Sequence, residues 1–78
     1  MQVIINISLK NGVLDPQGKS IEKALNSLNF KEVKEVKVCK QLKLELDESD
    51  KEKALQKAKA MCEELLVNSV IEDYELIV

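Results

Sequence analysis

Along residues 2 to 10 the chain alternates. Val3, Ile5, Ile7 and Leu9 fall in one phase and Gln2, Asn6, Ser8 and Lys10 in the other, which predicts a strand with one buried face. Ile4 is the lone apolar residue on the outer side. From Pro16 the spacing lengthens to Ile21, Ala24, Leu25 and Leu28, the i, i+3, i+4, i+7 stripe of an amphipathic helix. Asn29 stands where that helix should stop, since Asn follows Gly as the choice for a left-handed residue past a helix end. Alternation returns over residues 33 to 46, with Val36, Val38, Leu42, Leu44 and Leu46 in phase against Lys37, Cys39, Gln41, Lys43 and Glu45. The stretch "SDKE", Ser49 to Glu52, then reads as a capping box with Ser49 at the cap. Ala54, Leu55, Ala58, Met61, Cys62, Leu65 and Leu66 continue it as a second amphipathic helix ending near Asn68, and a last strand runs from Val70 to Val78.

Lys40 breaks the second extended segment by falling on its apolar side. Either residues 38 to 41 hold a bulge, bend or tight turn, or the Lys40 head sits at a sheet edge with its stem buried. A turn there gives the order βαββαβ, the ferredoxin-like arrangement. A continuous strand instead leaves an overhang whose open hydrogen-bonding groups invite pairing with a second copy, a strand-exchanging dimer. Both belong to one fold class: α+β, a two-layer sandwich of a small, mostly antiparallel sheet with two helices on one face.

The loop "GVLDPQGKS", residues 12 to 20, ends like a phosphate-binding P-loop. Its glycines, however, are six positions apart, where that motif needs five. A helix start accounts for every residue. Asn11-Gly12 is a turn, Asp15 a favoured N-cap and Pro16 a first helical residue whose missing N–H costs nothing, while Gly12 and Gly18 complete the structural loop. The amides of Gln17 and Gly18 at that helix start are the one place where an anion or a neighbouring carboxylate would be received.

Composition narrows the function. The 78 residues form one domain, 1–78, and a chain this short buries only about 60% of its unfolded surface, so a partner would strengthen its core. No apolar run is long enough to span a membrane, and no signal region precedes the first strand, so the expected location is cytoplasmic. A net charge of −2 with one Phe and one Tyr does not suit nucleic acid. There is no His and no Arg, hence no imidazole base or metal ligand and no guanidinium fork. Cys39 and Cys62 lack metal-site spacing and a base to generate a thiolate. No catalytic, cofactor-binding or metal residue is therefore assigned. The last sixteen residues carry Glu63, Glu64, Glu72, Asp73 and Glu75 without a cation, while Lys31, Lys34, Lys37, Lys40 and Lys43 dominate the middle segment. That asymmetry reads first as a solvated surface of uneven charge, and the sharper alternative is orientation between copies or with a partner subunit.

"VLDPQGKSIEKALNSL" with "NF", then "VKEVKVCK", then "MCEELLVNSVIEDYEL" resemble PurS, the small subunit of phosphoribosylformylglycinamidine (FGAM) synthase, nearly end to end. The family usually has glycine where Asn29 and Cys39 stand and proline where Ser69 stands. Asn29 can keep a left-handed helix end; Cys39 cannot easily take the positive φ a glycine allows, so an extended path is expected through residues 38 to 41.

The resemblance implies a non-catalytic bridging subunit of purine biosynthesis. In the family, a PurL-like synthase subunit uses ATP and Mg2+, and a PurQ-like glutaminase subunit releases ammonia. PurS joins the two as a homodimer or homotetramer and supports ammonia transfer in the conversion of FGAR, glutamine and ATP to FGAM, glutamate, ADP and phosphate. No cofactor is expected in this chain, and neither nucleic acid nor membrane as partner. Lys40, out of phase in its strand, and Asp73 and Tyr74, in the family-like "VIEDY", are the candidate partner contacts. A ferredoxin-like module that binds a small regulatory molecule is the alternative.

Overall fold

The computed structural model describes all residues, Met1–Val78. The chain runs β1 (Gln2–Leu9), α1 (Pro16–Ser27), β2 (Lys40–Glu45), α2 (Lys51–Met61), a π-helical turn (Cys62–Leu66) and β3 (Glu72–Ile77). β1 is the central strand of a three-stranded antiparallel sheet ordered β2-β1-β3. Its register sets Ile5 opposite Leu42 on one side and Leu76 on the other, so the alternation of all three strands collects on one face. There Val3, Ile5 and Ile7 meet Ala54, Ala58 and Cys62 of the second helical segment, and with Val67 these form the buried core. Ile4, on the opposite face, is half-buried beside Ile77, its cross-strand partner.

Local signals explain the helix ends. Asp15 caps α1, its Oδ1 accepting from the Gly18 N–H at 2.8 Å, and Pro16 follows as the first helical residue. At the other end Asn29 takes φ 74°. The Phe30 N–H donates to Leu25 O and the Asn29 N–H to Asn26 O, the paired bonds of a Schellman ending.

Two boundaries and one stripe position differ from the pattern. The cap of α2 is Asp50 rather than Ser49. Its Oδ1 accepts from the Glu52 and Lys53 amides at 2.9 and 3.3 Å, and a carboxylate is the stronger acceptor at the positive end of a helix. β3 starts at Glu72 because Asn68 closes a turn over Val70 and Ile71, accepting from Val70 through Oδ1 and from Ile71 and Glu72 through its carbonyl. Leu65, expected in the apolar stripe, is 83% exposed. The chain widens at Cys62–Leu66, where the Val67 N–H reaches Cys62 O; Leu66 stays against the core as expected, and Val67 joins it in place of Leu65.

The extended segment 33–46 divides. Residues 40 to 45 pair with β1, with no bulge and no positive φ at Cys39, whereas 33 to 39 have no strand partner. β1 itself continues to Leu9, paired with Glu72 on its other side, before the chain turns back at Lys10–Val13 with Gly12 at φ 86°. The Val38 N–H is instead taken by Asp15 Oδ2 at 3.0 Å, so β2 leaves β1 beyond the Ile7–Lys40 pair. Three strands rather than four result, and the ferredoxin-like order gives way to the overhang. The two expected layers are also incomplete within one chain. α2 lies on the sheet, but α1 packs extensively on no other element, and the molecule is elongated at 49 × 23 × 14 Å.

Candidate functional site

The three candidate contact residues do not form one cluster. Lys40 and Tyr74 flank Ile7 in a single row across the sheet, on the face that α2 covers. Asp73 lies on the opposite face, where its Oδ1 is 3.9 Å from Lys10 Nζ. At the edge of that row, beside Pro16 and Gln17 at the start of α1, Lys40 Nζ meets Glu72 Oε2 of the next row at 3.2 Å. The second oxygen of Glu72 accepts from the Asn68 N–H at 2.9 Å. That amide, ahead of Lys40, holds the Glu72 carboxyl below the usual glutamate range. Lys40 thus needs neither bulge nor turn: it opens β2 at the end of the apolar face, with its ammonium on the Glu72 carboxylate. Glu72 was not among the expected contacts. Its signal was an acidic residue on the apolar phase of one strand, matching a lysine on the apolar phase of another.

Tyr74 packs against the core, and burial, then the Glu63 carboxylate, raises its phenol. Cys62 is fully buried, and burial raises its thiol too, so it is a small core hydrophobe without nucleophilic character. Cys39 is exposed and not in a disulfide. No group of three or more Cys, Asp or Glu side chains is placed to hold a metal ion. No helix is long and apolar enough to cross a membrane.

The loop that ends like a P-loop lines a cleft of about 110 Å³ together with residues 35 to 38. Lys10, Lys19 and Lys37 border it, each beside a carboxylate: Asp73 at 3.9 Å, Glu22 at 3.5 Å and Glu35 at 3.9 Å. The Gly18 amide that would receive an anion is already taken by Asp15. Asp15 is bidentate, since its Oδ2 accepts from the Val38 N–H at 3.0 Å. Those two amides, Val38 first, hold its carboxyl below the usual aspartate range. The arrangement is a structural tie, with no free cradle for a phosphate.

Two unpartnered features adjoin that tie. The Leu46 N–H donates to Met1 O and the Val38 N–H to Asp15, so the even-numbered amides of this strand point toward β1 and the loop. The odd-numbered backbone groups therefore point outward, from Glu35 to Glu45, along an open edge. Beside it, Leu14, Ile21, Leu28 and Phe30 are exposed on and around α1, Leu28 at 68%. A free strand edge and an exposed apolar helix stripe thus lie on one half of a small elongated chain.

Comparison with known proteins gives a consistent result. The family model PurS, described as phosphoribosylformylglycinamidine (FGAM) synthase, matches residues 2–78. The PurS subunit of that synthase from Methanocaldococcus jannaschii is 44% identical over 70 residues, covering 90% of this chain and 84% of its own. The Bacillus subtilis PurS subunit is 44% identical over 73 residues, covering 94% and 86%. Among solved structures, M. jannaschii PurS, described as one of the subunits of formylglycinamide ribonucleotide amidotransferase, superposes with a TM-score of 0.87 at 42% identity over 97% of this chain and 92% of that one. A chain of the Thermotoga maritima PurLQS structure gives 0.88 at 38% identity over 97% and 93%.

Proposed function

The chain belongs to the PurS family of FGAM synthase subunits, and from that premise we propose that it is the non-catalytic bridging subunit of the complex. In this reading it joins a PurL-like synthase subunit, which uses ATP and Mg2+, to a PurQ-like glutaminase subunit, and supports the passage of ammonia between them in the cytoplasm. The observation that carries it is the end-to-end likeness to a chain of PurLQS from T. maritima. The chemistry of the chain is in keeping. It has no His, its buried cysteine has a raised thiol, and the lysines around its cleft sit beside carboxylates that partner them. In this reading its contribution to the reaction is positional.

The chain works as a homo-oligomer whose basic unit is a dimer. The open edge from Glu35 to Glu45 pairs with the same edge of a second copy, and the apolar stripe of α1 covers apolar surface there. This joins the two unpartnered features in one self-complementary interface. Lys40 and Tyr74 on the covered face, and Asp73 on the other, are the contact residues for the catalytic subunits.

Co-expression tests the reading. The chain is expected to co-purify with the synthase and glutaminase subunits and to restore glutamine-dependent FGAM formation to them, while showing no ATPase, glutaminase or ligase turnover alone. Failure to co-purify and to restore activity overturns it, as does turnover by the isolated chain. Light scattering tests the oligomer, for which a stable monomer is the adverse result.

A further inference from the structure

Residues 33 to 39 have no strand partner, yet the Val36 carbonyl and the Val38 N–H face the same side, the step of an extended strand, which seven residues of free chain do not hold by themselves. What holds them is the start of α1. The Asp15 carboxylate accepts from Gly18 through Oδ1 and from Val38 through Oδ2, at 2.8 and 3.0 Å, which ties two backbones 20 residues apart to one charged group. Gly18 is buried and helical, and a Cβ there would collide with the Val36 carbonyl oxygen and lie 2.9 Å from Asp15 Oδ2. Its lack of a side chain thus serves the close approach of residue 36 rather than an unusual φ. The Lys37 ammonium adds an outer contact to Asn11 Oδ1 at 3.2 Å.

We propose that Asp15 and Gly18 form a clamp that presents the unpaired strand and the apolar stripe of α1 to a second copy of the chain as one preformed surface. Asp15 is a positioning residue here, and the inference rests on the self-association reading above. The clamp does two things. It orders the strand before association, so that this entropy loss is not charged against binding. It also selects the edge on offer. The Val38 amide and the Val36 carbonyl are turned to the loop, which leaves the backbone groups of Glu35, Lys37 and Cys39 in line with the outer edge of β2. The "LDPQG" stretch is thereby accounted for as the joint between the two halves of an interface, with its carboxylate where a phosphate-binding loop would hold its anion.

Two variants separate the clamp from the fold. Asp15→Asn keeps an oxygen for the Gly18 amide but turns a donor toward the Val38 N–H, so it opens the strand side alone. Gly18→Ala suits the helix and displaces residue 36. With far-UV circular dichroism and β1–β3 amide protection unchanged, each is expected to weaken self-association by about tenfold in sedimentation equilibrium. Each should also expose the Val38 amide to exchange. A wild-type chain that stays monomeric overturns the self-association reading and this inference with it. A wild type that associates, with Asp15→Asn within about twofold of it, overturns the clamp alone. If Gly18→Ala fails to fold, Asp15→Asn decides.

Discussion

Lys40 and Glu72 open the two outer strands of the sheet and meet across the central one, Nζ to Oε2 at 3.2 Å, on the face that otherwise forms the core. Glu72 is the better buried partner, with 11% of its side chain exposed against 64% for Lys40, and it also receives the Asn68 amide. The two ends of the pair should therefore respond unequally. Glu72→Ala removes the acceptor for a turn amide and should destabilise the protein by about 1–2 kcal/mol. Lys40→Met should stay within about 1 kcal/mol of wild type. Urea unfolding at a fixed protein concentration measures both. Equal losses would show that the ion pair, rather than the turn bond, carries the stability.

Acid should weaken the fold through three carboxylates. Asp15 is held below its ordinary range by the Val38 and Gly18 amides, Glu48 by Lys57 and the Asp50 amide, and Glu72 by the Asn68 amide, partly against desolvation, and by Lys40. A carboxylate with a lowered folded pKa contributes stability that is fully present above its unfolded value. That stability is lost as pH falls through the folded value. The urea midpoint should be flat near neutrality and fall once pH drops below about 4 to 4.5, the unfolded range of Asp and Glu. Replacing Asp15 by Asn and Glu72 by Gln together should flatten that fall.

Asn29 offers a test of backbone strain. With φ at 74°, Asn29→Gly should be neutral or stabilising, whereas Asn29→Ala should cost about 1–2 kcal/mol. Thermal unfolding of the two variants gives the sign directly. An alanine as stable as the glycine would mean that α1 ends differently in solution.

In the core, Ile5 is fully buried between Leu42 and Leu76. Ile5→Ala should lose about 2–5 kcal/mol, enough to unfold much of so small a domain at 37 °C. Ile4→Ala, one residue away on the uncovered face, should lose far less. The contrast, read by circular dichroism during heating, checks which face of β1 is the core.

Charge on the α1 stripe should break self-association without breaking the helix. Ile21→Glu and Leu28→Glu change side chains that are already exposed in the single chain. Each should therefore preserve helix content while raising the dimer dissociation constant at least about tenfold. Unchanged light scattering would remove α1 from the interface.

How much of this was legible in the sequence depends on the range of the interaction concerned. The faces of β1, the start of α1 at Asp15 and Pro16, its end at Asn29 and the core positions Ala54, Ala58 and Cys62 all follow from signals that act within a few residues: alternation, capping and periodicity. The cap of α2 slipped by one residue because Ser49 and Asp50 are both good caps, and local pattern does not rank them. Tertiary structure alone decided the rest. Alternation runs from Val36 to Leu46 with Lys40 the one exception and carries no mark of where a partner strand ends. The tie of the Val38 N–H to Asp15, 23 residues earlier, turns the chain off β1 and limits β2 to Lys40–Glu45. The amphipathic stripe of α1 declares that something covers it, and only the path of the chain shows that its own sheet does not. Lys40 looked misplaced until Glu72, 32 residues later, was brought across β1 to meet it, because pairing between distant segments is set by register, which no local pattern encodes.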